Sequence, residues 1–149
     1  MSLATTVARI LSVVDGTTGV ANVTDGRVME TTRVEAEAAR SVAIAELLQS
    51  WEVLPTPRKA IHGADGFLET ELDVEIVAHY VQASGTRATF RGLLDDVMER
   101  LATPSIGFPQ LTPEGVILAE FPEWPVKLPT GQSSWVARLR FSLWDTSST

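Results

Sequence analysis

At 149 residues the chain has the length of one ordinary domain and enough material to bury a core. Hydrophobic residues make up 44% and charged residues 21%, which excludes a disordered composition. The absence of cysteine rules out a disulfide scaffold, a thiol nucleophile and thiolate metal sites. A formal charge of -7 opposes the cationic contacts on which non-specific nucleic-acid binding runs.

Leu3, Val7, Ile10, Leu11 and Val14 recur at helical spacing before the stop signal Asp15-Gly16, so a short amphipathic helix is expected over residues 3–14. This N-terminus has no cationic leader, and no segment is apolar for the length of a membrane span. The expectation is a soluble protein without membrane contact. Residues 17–34, broken by Gly19 and Asp25-Gly26, read as a short strand and turns.

Residues 35–54 support two readings. Their Ala and Glu content favours a helix, whereas alternating Val42, Ile44 and Leu48 against Leu47, Trp51 and Val53 favours a strand over residues 41–53. The strand is the preferred reading, with Pro55 and Pro57 ending it. A short strand over residues 59–62 then leads through the D-G turn at residues 63–66. The next strand is the clearest: Leu68, Leu72, Val74, Ile76, Ala78 and Tyr80 share one face, and Glu69, Glu71, Asp73 and Glu75 the other.

Phe90, Leu93, Leu94, Val97, Met98 and Leu101 form the stripe of a helix lying on a core, over residues 86–102, capped by Ser84 or Thr86 and ended by Thr103-Pro104. A loop over residues 104–114, a strand over 116–121 and a second loop running to Gln132 follow. The last strand, residues 133–144, sets Trp135, Ala137, Leu139, Phe141 and Leu143 against Val136, Arg138, Arg140 and Ser142, and a polar tail closes the chain. The expected fold is α+β, with residues 1–149 as one domain. It is a two-layer sandwich in which two amphipathic α-helices cover a mostly antiparallel or mixed β-sheet.

Nothing in this order carries a catalytic signature. There is no nucleophile elbow, P-loop or dinucleotide-binding glycine pattern, so neither enzymatic chemistry nor a cofactor is expected. His62 and His79 have no ligand-spaced partner, and no metal site is expected. Glu71, Asp73 and Glu75 recur with a period of two, as a charge ladder on one strand rather than a catalytic pair. Arg138 and Arg140 are its natural cross-strand partners. Trp124, between Pro122 and Pro125, is either an interface anchor or packed back on its own domain.

The sequence of elements resembles the tail terminator family of siphophages and phage-like gene transfer agents. The resemblance rests on the N-terminal helix, the GVANVTDGRV turn segment, SVAIAELLQSWEVLP, ETELDVEIVAHYV, TRATFRGLLDDVMERLA, GVILAEF and SSWVARLRFSLWD. It covers most of the chain, best from Ser41 onward, and fits least at residues 29–39, which read as an insertion. It implies a non-enzymatic virion subunit, assembled in the bacterial cytoplasm, that forms a hexameric ring on the tail tube. Such a ring stops tube growth and meets the head connector, and DNA passes through it without specific binding. Two proline-stiffened loops, residues 54–59 and 122–131, are the expected interface segments, with Arg58, Lys59, Trp124 and Lys127 as partner-contact candidates. The competing expectations are another neck or tail-completion protein, or a small enzyme or ligand-binding domain whose site converges only on folding. A deep apolar pocket with convergent polar groups would mark the last of these.

Overall fold

The computed structural model describes residues 3–25, 49–62, 67–108, 111–127 and 131–146. The chain begins with α1 (Leu3–Asp15), followed by a short strand β1 (Val23–Asp25). Two long strands come next, β2 (Gln49–His62) and β3 (Phe67–Val81). One 3-10 turn separates β3 from α2 (Arg87–Ala102). Strands β4 (Ile117–Glu120), β5 (Val126–Lys127) and β6 (Ser133–Thr146) complete the described elements. The sheet order is β1-β2-β3-β6-β4, with β5 also on β6; β1 runs parallel to β2, and the other pairings are antiparallel. The fold is therefore an α+β sandwich with a mixed, mostly antiparallel sheet and two helices on one face.

Period-two alternation builds that face. Trp51 and Val53 of β2, Leu72, Val74, Ile76, Ala78 and Tyr80 of β3, and Trp135, Ala137, Leu139, Phe141 and Leu143 of β6 are all buried in one cluster. Ile10, Val13 and Val14 of α1 and Phe90, Leu94, Val97 and Leu101 of α2 close it from above. Phe90 is the central plug: its ring stacks on Tyr80 at 5.2 Å and meets Trp51 at 6.3 Å and Phe121 at 6.2 Å. Each of these rings comes from a different element, so Phe90 joins the helix layer to three separate parts of the sheet layer.

Local chemistry sets the helix ends. The Thr86 hydroxyl accepts from the Thr89 N–H at 3.2 Å, satisfying one of the orphan donors of the first turn of α2. At the end of α1 the Val13 carbonyl accepts from Thr17 Oγ1 and from Arg100 Nε of α2, which ties the two helices together. Gly107 is required by close approach: a Cβ there would sit 2.2 Å from the Leu101 carbonyl oxygen at the end of α2.

Two expectations are corrected. Pro55 and Pro57 do not end a strand, and residues 54–59 are not a loop; β2 runs through them to His62, paired with β3 throughout. The reason is direction. The Trp51 N–H donates to Asn22 O, on the side of β2 away from β3, and Pro55 and Pro57 have the same parity in an unbroken register. Their missing N–H groups would have pointed to that side as well, so the β2–β3 ladder loses nothing. Among the described residues β1 covers this edge only from Trp51 to Val53, which leaves the prolines on an edge where they also discourage unwanted strand pairing. The described part of this strand begins at Gln49; residues 41–48, where the expected strand starts, the proposed insertion at 29–39 and the turn at 63–66 lie outside the described residues. The second correction is smaller: the loop to Gln132 contains β5, pairing Val126 and Lys127 with Ser134 and Ser133.

Candidate functional site

The second face of the sheet carries the charged residues. Glu75 of β3 sits at the centre, with one carboxylate oxygen bonded to Arg138 Nη1 and the other to Arg140 Nε at 3.0 Å. Arg138 also bonds Glu120 of β4 at 2.9 Å, so four charges from three strands form one network. Asp73 accepts from the Ser142 hydroxyl at 2.7 Å. The cross-strand register explains these meetings, since Glu75 lies directly opposite Arg140 and Asp73 opposite Ser142.

Glu120 joined this network without a signal in the alternation. It has the parity of Leu118, which faces the core, but the register slips between the two residues and leaves Ala119 as a bulge. The extra residue turns Glu120 onto the second face, opposite Arg138. Glu71 stands opposite Trp144 and Arg58 in the register, and Lys59 stands opposite Thr70; the side chains of Arg58, Lys59, Glu71 and His62 lie outside the described residues.

These pairs are partly exposed, so each is worth only about 0.2–1 kcal/mol. Glu75→Gln removes two of them and leaves Arg138 and Arg140 side by side. The expected loss is about 1 kcal/mol in a urea titration, shrinking in 1 M salt, where the screening length falls to about 3 Å. A loss that salt leaves unchanged would assign Glu75 to packing instead.

The same face is not polar throughout. Toward the start of β2 and β6 it buries Ser50, Glu52, Val77, His79, Val81 and Ser134. His79 is thus a buried packing residue, on the face that carries Asp73 and Glu75 farther along β3. Toward the other end the face opens into a groove of about 740 Å³. Leu54, Asp73, Glu75, Ile117, Arg140 and Trp144 contribute to its walls, and the segment 112–115 rims it. At the rim the Glu114 carboxyl is held below its ordinary value, chiefly by a bond from its own backbone N–H.

Glu75 gives both oxygens to arginines and Ser142 gives its proton to Asp73, so these polar groups bond one another across the strands rather than converging on open space. Among the described residues no group of three or more His, Asp or Glu side chains could hold a metal, and no helix is long and apolar enough to cross a membrane.

The other prominent surface feature is the turn between β4 and β5. Phe121 packs on Phe90, with Arg87 over its outer side at 4.3 Å, and Arg87 Nε donates to the Pro122 carbonyl at 2.7 Å. These contacts fix the base of the turn. At its tip Trp124 is 78% exposed, beside exposed Val126 and Lys127. The indole therefore does not pack back on its own domain. No protein-family model matches the chain, and a search of curated proteins finds none significantly similar to it.

Proposed function

We propose that this protein is a structural subunit of a phage-type tail, a tail terminator that assembles as a ring on the end of the tail tube. The reading rests on the resemblance in element order, which spans most of the chain, and on one structural observation above all. Trp124 is a large apolar side chain held in water by a turn that is itself anchored on the core. A side chain of that kind loses little entropy when a partner covers it. The groove of the second face supports the same class of function, because Glu75 with Arg140 and Asp73 with Ser142 bond one another across its floor.

In this role the subunits join head to tail, and a heterologous contact closes into a ring when its rotation divides a full turn. The family implies six copies, with one side of the ring on the tube protein and the other toward the head connector. The chain's charge of -7 suits a channel that DNA must traverse without sticking. Enzymatic activity, a cofactor and a metal have no part in it. The test is arrest of tube growth. Purified chain added in slight excess to growing tubes of the cognate tube protein should stop elongation and leave a ring-shaped cap at one end, seen by electron microscopy. Tubes that lengthen at an unchanged rate would count against the proposal.

A further inference from the structure

We infer that the groove on the second face is the socket for the Trp124 turn of a neighbouring copy of this chain. The inference rests on the assembly reading above and adds to it the two surfaces that meet. The groove has apolar walls open to water, with Ile117 and Trp144 each 47% exposed and Leu54 half-buried between strands. The turn supplies the matching knob, Trp124 with Val126, 78% and 54% exposed.

Charge agrees with this pairing. In and beside the groove, Asp73, Glu75, Glu114 and Glu120 stand against Arg138 and Arg140, leaving two negative charges in excess. Around the knob, Arg87 and Lys127 stand against Glu123, leaving one positive.

Position makes the contact intermolecular. The turn leaves β6 opposite Arg138 and returns opposite Ser134, whereas the groove lies at Arg140 to Trp144. Six residues separate Val136, midway between the two anchor points, from Ser142, which is about 20 Å of strand. A knob and a socket this far apart on one subunit cannot be the same patch, so the contact is head to tail and propagates from copy to copy.

The chain has no cysteine, which makes disulfide trapping specific. Thr56→Cys marks the groove and Glu123→Cys marks the turn while leaving Trp124 in place; both positions are exposed. The two single variants, carrying tags of different size, are mixed in equal amounts and oxidised. A mixed dimer should form well above the yield of a control pair, Asp96→Cys with Glu123→Cys, and above either variant alone. Adding Trp124→Ala to the Glu123→Cys chain should lower that yield about tenfold, the loss expected for a central aromatic anchor.

A mixed-dimer yield no higher than the control overturns the inference, as does a yield indifferent to Trp124→Ala. Dominant dimers of Glu123→Cys with itself would also overturn it, in favour of a symmetric turn-to-turn contact. Arrested tubes without mixed dimers would reject this socket and keep the terminator reading. Mixed dimers with unarrested tubes would keep the socket and reject the terminator.

Discussion

Phe90→Ala should cost about 3–5 kcal/mol of folding stability, a large part of what a domain of this size has to lose. Phe90 is fully buried and its ring touches Tyr80, Trp51 and Phe121, which belong to β3, β2 and the segment after β4. Truncation leaves a cavity where four elements meet, and none can collapse into it without moving a strand. Three aromatic contacts are lost as well, each worth about 0.5–1.5 kcal/mol beyond the area buried. Denaturant titration should show the midpoint falling with an unchanged slope, the sign that the native state is weakened rather than reshaped. A loss below about 1 kcal/mol would mean that the helix layer is not fastened to the sheet through this ring. Leu94→Ala, one turn along the same buried stripe, should behave alike at about 2–5 kcal/mol.

The stripe that places Phe90 and Leu94 was legible before any coordinates, because a helix on a core must repeat its apolar residues every three or four positions. The same holds for β3 and β6, where one apolar face alternates with Asp73 and Glu75 or with Arg138 and Arg140. The prolines of β2 were not legible. Whether Pro55 breaks a ladder depends on which way its nitrogen points, and that is fixed by pairing with β3 and by where β1 stops. Glu120 was hidden for a related reason, since a one-residue bulge reverses the face that alternation assigns. A third feature left a trace that alternation alone undervalues. After Glu75 the polar face of β3 turns into Val77, His79 and Val81, and all three are buried. Apolar residues on a strand's polar side signal cover, although not what provides it.

The groove itself is a product of register. Leu54, Ile117 and Trp144 are far apart in sequence, and only the order β2-β3-β6-β4 brings them onto one surface. The exposed turn was easier to find, because Pro-x-Trp-Pro puts a large aromatic where a central strand cannot run. Sequence alone left open whether Trp124 would fold back. The contacts of Arg87 with Phe121 and Pro122 decide this by fixing the base of the turn while its tip stays in water.

The largest effect of all is expected in the particle. If the chain caps the tube, then without it no surface ends the head-to-tail addition of tube protein, and no surface meets the head. The defect should be all-or-none in joining, because a ring lacking its subunits does not exist in part. It should also be specific, with tube diameter and head assembly unchanged. The direct measurement is the distribution of tail lengths, by electron microscopy, in lysates of a strain deleted for this gene. The account predicts overgrown or unjoined tails, restored to fixed length and to joined particles by the wild-type gene supplied in trans. Joined tails of normal, fixed length in the deletion strain would contradict it.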